Sequence, residues 1–132
     1  MRQRPTLTGD DAQRMMAAAK AEAVKHGWKL TIVIVDDSGA LLLAERMDGA
    51  GRLSAEIAFG KARTAAAMGR PSGLVAQILA QAPGLALASV GIPLQGGVPV
   101  IWEGECVGAI AASGASAPDD EQVASAGAAA LA

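Results

Sequence analysis

The spacing of apolar residues near the start of the chain predicts a helix. Apolar side chains recur every three or four positions after Thr8, and Ser or Thr commonly caps a helix N-terminus. Gly27 is a typical residue just beyond a helix C-terminus. The apolar stripe consists of Ala12, Met15, Met16, Ala19 and Ala23. We therefore expect a first helix with one face packed on the core.

Two pairs of apolar runs predict β-hairpins. Residues 30–35 are rich in β-branched side chains, and a polar turn at residues 36–39 separates them from a second run at residues 40–47. Residues 98–102 and 106–112 form the second pair, around a three-residue turn that contains glycine. Because both pairs are joined by short turns, the sheet is expected to be antiparallel.

Helical spacing returns in three later segments. Residues 53–68 form a long helical segment, and Ser72 is the expected N-cap of a shorter helix at residues 73–81. A capping-box pattern at Ser116 begins a last helix that is expected to run to Leu131.

The stretch before the second hairpin is ambiguous. Residues 85–90 are apolar but short, so they fit a helix or a strand, and residues 91–94 fit an edge strand that tolerates proline. The predicted order is helix, strand, strand, helix, helix, optional strand, strand, strand, helix. Hairpins covered by helices predict an α+β domain.

Composition indicates a single domain that gains part of its burial by self-association. The 132 residues are 52% hydrophobic but only 2% aromatic, so the core is built from small aliphatic side chains. One domain spanning residues 1–132 is the expectation at this length. Small side chains bury little area each, which favours a homo-oligomer.

Charge and cysteine content exclude several classes of partner. A formal net charge of −2 with no basic run does not fit a nucleic-acid-binding surface. No window is apolar enough for a membrane span, and the N-terminus lacks the apolar segment of a signal peptide. The single cysteine excludes an internal disulfide and a cysteine-based metal site, so the sequence predicts a cytoplasmic protein.

Lys61 is the first candidate for chemistry. It occupies the stripe that Ile57, Ala65 and Met68 share on the second predicted helix. A buried lysine must be paired or lose its proton. Three interpretations follow: a structural pair with a carboxylate, an anchor for an anionic ligand, and a Schiff-base nucleophile.

Arg46 and Asp48 form the second candidate, two residues apart where a strand runs into a glycine loop. They are either a solvated ion pair or a charged rim for a ligand carboxylate. Gly96, Gly97 and Gly114 expose bare backbone that lets a ligand approach closely. The predicted site is a pocket in which Arg46, Asp48 and Lys61 face the glycine pair.

Other reactive residues fit no known arrangement. His26 is the only histidine, so no Ser-His-Asp triad can be defined, and it is either a ligand or a partner of the helix C-terminus. Cys106 begins an apolar strand and is expected to be an inert core residue. No spacing of carboxylates singles out an acid–base pair, and no metal site is predicted.

Four ordered motifs resemble the GlcG/HbpS family, also called the haem-degrading domain family, and are similar to the C-terminal domain of PduO-type proteins. They are IVIVDDSGALLLAERMDGA, SAEIAFGKARTAAAMGRP, PLQGGVPVI and VGAIAASGA, and the resemblance covers about residues 7–131. The resemblance puts weight on Asp36, Gly39, Arg46, Asp48, Lys61, Gly96, Gly97, Pro99, Gly108, Ser113 and Gly114.

The resemblance implies a five-stranded antiparallel sheet flanked by helices in a profilin-like arrangement, and assemblies from dimers to octamers. It also implies a haem or corrinoid cofactor. In the ligand-binding interpretation, Arg46 and Lys61 would pair with carboxylates of the ligand, and Gly96 and Gly97 would offer backbone N–H groups. A haem iron takes a His, Met, Cys or Tyr ligand. The chain has no Tyr, His26 lies outside the matched motifs, and Met47 and Cys106 are possible ligands.

Two functional hypotheses follow. The first is a small oligomeric ligand-binding protein that holds haem or a corrinoid. The second is a cofactor-independent catabolic enzyme, a lyase, isomerase or hydratase, that acts on a small organic acid. There Lys61 or Asp48 would be the base and Arg46 the carboxylate clamp.

Overall fold

The computed structural model of the chain describes residues 1–88 and 90–131. The elements, in chain order, are α1 (Gly9–His26), β1 (Thr31–Asp36), β2 (Leu41–Arg46), α2 (Ser54–Met68), α3 (Ser72–Gln81), a 3₁₀ helix (Pro83–Leu87), β3 (Gly97–Trp102), β4 (Glu105–Ser113) and α4 (Ala117–Ala129). None of the helices in these described ranges is long and apolar enough to cross a lipid bilayer.

The four strands form one antiparallel sheet in the order β2-β1-β4-β3. Helices α1 and α4 pack together on one face of the sheet, and α2 covers the other face. Alternation along β1 assigns its side chains to the two faces: Ile32 and Ile34 join the core under α1 and α4, whereas Val33 and Val35 pack against alanines of α2. The predicted α+β class with an antiparallel sheet is confirmed.

The described sheet has four strands, so the prediction of five is wrong. Residues 85–87 end a 3₁₀ helix, and residues 91–94 are irregular chain. The Ile92 N–H donates to the Gly60 carbonyl at 2.9 Å, so this segment follows α2 instead of the sheet edge. Gly60 permits the approach, since a Cβ there would lie 2.4 Å from the Ile92 side chain. Ser89 lies outside the described residues, and a profilin-like arrangement stays a prediction.

Helix termini follow the predicted caps at both ends of the chain. Thr8 and Asp11 form a reciprocal capping box at the start of α1, and Gly27 ends that helix in a left-handed conformation. The Ser116 side chain caps α4 as predicted, although this helix ends at Ala129 instead of Leu131.

Ser72 does not cap α3, contrary to the prediction. Pro71 is the N-cap residue, and Ser72 is the first, fully buried residue of the helix. The Ser72 hydroxyl donates to the Leu94 carbonyl and accepts the Gly97 N–H at 2.9 Å. Its bonds therefore fasten α3 to the chain that enters β3.

The turn of the second hairpin is one residue tighter than predicted. Trp102 pairs directly with Glu105, which leaves Glu103 and Gly104 as a two-residue turn. Both turn residues have positive φ, 49° and 81°, as a primed hairpin turn requires. The return strand therefore begins at Glu105.

Candidate functional site

Lys61 lies in the interior of the protein, at the centre of α2. Its relative exposure is 4%, and its ammonium donates to the Asp120 carboxylate at 3.0 Å and to the Ala112 carbonyl at 3.1 Å. Asp120 is buried in the first turn of α4, and its second oxygen accepts the Ala115 N–H at 2.8 Å. The pair therefore joins α2, β4 and α4.

Two opposing effects act on the Asp120 carboxyl. Burial raises its pKa above the usual 3.8, and the bonds from Ala115 and from the Lys61 ammonium oppose that rise. Of the three interpretations of Lys61, the structural pair with a carboxylate is the arrangement that the structure contains.

The glycine pair lies directly against Lys61. A Cβ on Gly96 would lie 2.6 Å from the Lys61 ammonium, and a Cβ on Gly97 would lie 2.6 Å from the Lys61 carbonyl. Gly96 also has a φ of 135°, which favours glycine. The predicted proximity of Lys61 to the glycine pair is present, and close packing fills the space between them.

Arg46 and Asp48 lie elsewhere. Arg46 ends β2, so strands β1 and β4 separate it from Gly97 on β3. Both side chains are exposed, and Arg46 donates to the Ala50 carbonyl at 3.1 Å. The structure does not bring Arg46 and Asp48 to Lys61 and the glycine pair. The catabolic-enzyme hypothesis, which needs these groups in one cleft, stays a prediction without support from this geometry.

The remaining predicted ligand-binding residues, Pro99 and Gly114, lie within or directly after the sheet. Pro99 pairs with Ala109 within the β3–β4 ladder. Gly114 follows β4, where a Cβ would lie 2.5 Å from the Lys29 carbonyl. Close backbone packing accounts for Gly114, whereas Pro99 is half-buried within the ladder.

An open cleft lies next to the glycine pair, between α3, the chain entering β3 and α4. We call it the α3 cleft; its volume is about 470 Å³. Its lining residues are Pro71, Gly73, Leu74, Ala76, Gln77, Leu94, Gln95 and Glu121. Volumes of roughly 300–1,000 Å³ are typical of small-molecule sites. Leu94 and Gln95 place the cleft beside the glycine pair, at the β3 edge of the sheet. Arg46 ends β2, which is the opposite edge strand.

The cleft continues into an uncharged surface that the search for reactive residues missed. From Pro71 to Trp102 the sequence contains no Asp, Glu, Lys or Arg. We call residues 71–94 the uncharged arm. Its exposed large side chains include Leu87, which is 96% exposed, together with Leu74, Leu85, Val90 and Leu94. Exposed apolar side chains of this kind make the arm a candidate contact for a partner or ligand, and the long segment without charged residues was its signal in the sequence.

Two candidate haem ligands are already engaged. The His26 ring stacks on Trp28 with centroids 4.3 Å apart, and its Nε2 lies 3.0 Å from a Glu22 carboxylate oxygen. The Cys106 thiol lies 3.3 Å from the Gly108 carbonyl, and burial raises its pKa, which favours the thiol over an iron-binding thiolate.

The methionine side chains differ in their exposure to solvent. Met15 and Met16 are buried, and Met47 packs against the same core from its edge, whereas Met68 is 48% exposed at the end of α2. The residues that line the α3 cleft include no His, Met, Cys, Tyr, Lys or Arg. The lining of the cleft in one protomer thus contains no usual haem-iron ligand and no cation that could pair with propionates. Within residues 1–88 and 90–131, no three metal-binding side chains converge.

The family model described as "Haem degrading protein HbpS-like" matches residues 7–129. The chain belongs to the HbpS-like family. The resemblance inferred from the four motifs is thereby confirmed. Among curated HbpS-like relatives, protein GlcG of Escherichia coli strain K12 is 37% identical over 115 residues, which cover 86% of this chain and 85% of GlcG. An uncharacterised 15.0 kDa protein from the dhaT-dhaS intergenic region of Citrobacter freundii is 31% identical over 126 residues, 90% of this chain and 87% of that protein.

Several solved structures are similar to this chain in fold. The crystal structure of HbpS has a TM-score of 0.94 and 39% identity, and the match covers all of this chain and 94% of that one. A double mutant of HbpS from Streptomyces reticuli gives a TM-score of 0.93 at 38% identity, covering 100% of this chain and 91% of that chain. The PduOC complex with haem has a TM-score of 0.86 at 25% identity, with 96% and 95% coverage.

Proposed function

We propose that this chain is a haem-binding accessory protein that works as a homo-oligomer. One observation carries the proposal: the fold matches PduOC, which was solved as a complex with haem, over 96% of this chain. The family description supports the same ligand. A corrinoid, which the sequence resemblance also implied, is the alternative tetrapyrrole.

The uncharged arm would supply the apolar contact surface for the macrocycle. Leu74 and Leu94 line the α3 cleft and are 39% and 52% exposed, so a bound porphyrin would remove their apolar surface from water. Gly96 and Gly97 would form the rigid floor behind that surface, because both pack closely against Lys61.

The propionates would be paired by a second copy of the chain. Lys61 is held by Asp120, which leaves Arg46 as the predicted cation with an exposed side chain. Arg46 lies on the opposite edge strand from β3, so in this proposal it meets a haem on the arm of a neighbouring protomer. This arrangement would make haem binding depend on self-association.

Titration with hemin, followed by the Soret band and by analytical ultracentrifugation, tests the proposal. We expect a saturable Soret shift and an oligomer. Leu94→Glu should weaken hemin binding at least tenfold, about 1.4 kcal/mol, because it replaces an apolar contact of the α3 cleft by a charge. Val24→Glu is the matched control, since Val24 is 61% exposed on α1, away from the arm.

Further variants separate the parts of the site. Arg46→Gln should weaken hemin binding, and mixing it with Leu94→Glu should restore part of the binding if the two residues act from different protomers. His26→Ala, Met68→Leu and Cys106→Ser should identify the iron ligand by a change of the hemin spectrum. The absence of a saturable Soret shift would overturn the proposal, and a response to a corrinoid alone would replace haem by that ligand.

A further inference from the structure

A second cavity lies between the N-terminal segment, α1 and the end of the β3–β4 hairpin. Its volume is about 370 Å³, and it shares no lining residue with the α3 cleft. Its apolar walls come from Leu7, Trp102, Val107 and Leu131. This volume lies within the range that is typical of small-molecule sites.

Trp102 gives this cavity an aromatic wall. It is the last residue of β3, directly before the two-residue turn, and it remains 45% exposed. The other indole of the chain, Trp28, is stacked on His26 and does not line the cavity. A ligand with an apolar body would cover the exposed part of the Trp102 ring.

The polar rim carries one charge of each sign. The Arg14 guanidinium donates to the Ala130 carbonyl at 3.0 Å and lies 3.9 Å from the Asp11 carboxylate, and its side chain stays 62% exposed. One Asp11 oxygen accepts the Thr8 N–H at 2.9 Å, and the other faces Arg14. The bonds from Thr8 hold the pKa of Asp11 below its usual value, so the carboxylate is charged at neutral pH.

We infer that this cavity binds a zwitterion with an apolar body, namely an α-amino acid with an aliphatic or aromatic side chain. The ligand carboxylate pairs with Arg14, whose guanidinium keeps free donors. The ligand ammonium pairs with the Asp11 oxygen that faces Arg14, and the ligand side chain lies on Trp102. A lone anion would leave Asp11 beside a like charge, and a lone cation would leave Arg14 beside one.

Fluorescence of the Trp28→Phe variant tests this inference. The chain has two Trp and no Tyr, so emission in this variant comes from Trp102. We expect a saturable change with L-leucine. Isocaproate lacks the ammonium and isoamylamine lacks the carboxylate, so each should bind at least tenfold more weakly.

Charge-removing variants in the same background assign the contacts. Arg14→Gln should abolish the preference for leucine over isoamylamine, and Asp11→Asn should abolish the preference over isocaproate. Arg70→Gln removes the same charge away from the cavity and should leave the titration unchanged.

Circular dichroism confirms that each variant is folded. Binding of isocaproate as tight as that of leucine, no saturable response to leucine, or leucine binding that survives both Arg14→Gln and Asp11→Asn would each overturn the inference. Because no residue of this cavity belongs to the proposed haem site, hemin binding should persist in Arg14→Gln whatever the amino-acid titration gives.

Discussion

Two neighbouring regions of the molecule differ in which side chains they bury: one buries charged side chains, and the other exposes apolar ones. Around Lys61, a lysine and an aspartate lie behind two glycines, and both charged side chains are almost fully buried. Beside them, the uncharged arm extends large aliphatic side chains into solvent. The region with reactive groups is closed, and the region without them is open.

This contrast shows that reactive residue types alone do not identify a site. A buried ion pair holds three elements together because removing either partner would leave an uncompensated charge inside the protein. An exposed aliphatic surface has no reactive group, yet it is the surface that a hydrophobic ligand or a second protomer can cover. The following predictions test that division, in order of the expected change in stability.

The largest expected effect is on the closed region. Asp120→Ala leaves the Lys61 ammonium buried without a carboxylate, and we expect a loss of about 3–5 kcal/mol in the free energy of unfolding. Urea denaturation followed by circular dichroism measures it. Asp119→Ala is the matched control, because Asp119 is in the same first turn of α4 and takes no part in the pair.

The double variant Lys61→Met/Asp120→Leu should recover part of that loss, since it removes both charges at once. If Asp120→Ala lowered the free energy of unfolding as little as Asp119→Ala does, the Lys61–Asp120 pair would not be what holds this region together.

The next effect tests the packing of the glycine pair. In Gly97→Ala the new Cβ would lie 2.6 Å from the Lys61 carbonyl, so the backbone must shift, and we expect a loss of about 1–3 kcal/mol. Gly51→Ala is the control, because a Cβ added at Gly51 would have nothing within 4 Å. Equal melting temperatures of the two variants would contradict the close packing.

A smaller effect is the pH dependence that two aspartates, Asp120 and Asp36, give to the free energy of unfolding. Burial raises the pKa of Asp120 in the native state, so the native state binds this proton more tightly than the unfolded state does. The contribution of Asp120 to the free energy of unfolding therefore falls as pH rises from about 3.8 through the native pKa. The Ser38 hydroxyl lowers the pKa of Asp36, so its contribution is present above about 3.8 and is lost as pH falls through its native pKa.

Urea denaturation between pH 3 and 6 should therefore give opposite slopes. The stability of the parent relative to Asp120→Asn should fall as pH rises, and its stability relative to Asp36→Asn should rise. Slopes of the same sign would mean that the two carboxyls do not differ in the way their surroundings indicate.

The smallest change in stability is expected on the open region. Leu87→Ser removes a side chain that is 96% exposed, so the unfolding free energy of the protomer should change by less than about 0.5 kcal/mol. Self-association, measured by sedimentation velocity, should weaken instead. A large loss of stability with unchanged association would show that the arm belongs to the core of its own protomer.

Most of the fold could be predicted because local signals agreed with the final packing. The caps at Thr8, Gly27 and Ser116 satisfy backbone groups of their own helices, so neighbouring residues decide them. The fifth strand was predicted wrongly because residues 91–94 have strand-like composition while their backbone bonds to Gly60, about thirty positions away. Long-range contacts of this kind override local propensity.

The candidate site could be predicted only in part. The periodicity of α2 correctly indicated that Lys61 needs a partner, but Asp120 lies on another helix and no spacing in the sequence links the two. Strand order also decided the outcome for Arg46, because a hairpin pattern does not reveal which strands lie between its edge and β3. The α3 cleft depends on the orientation of α3, which Ser72 fixes through bonds that no local pattern shows.

The buried hydroxyl of Ser72 also makes the uncharged arm a convenient place for protein engineering. The chain departs at Ser72 and returns to the same hydroxyl through Leu94 and Gly97, so both ends of the excursion are held at one point. Lengthening a loop with fixed ends costs only about 0.6 kcal/mol per doubling of its length. A peptide tag or a small domain inserted within Pro83–Leu87 should therefore leave the sheet folded and display the insert on the surface.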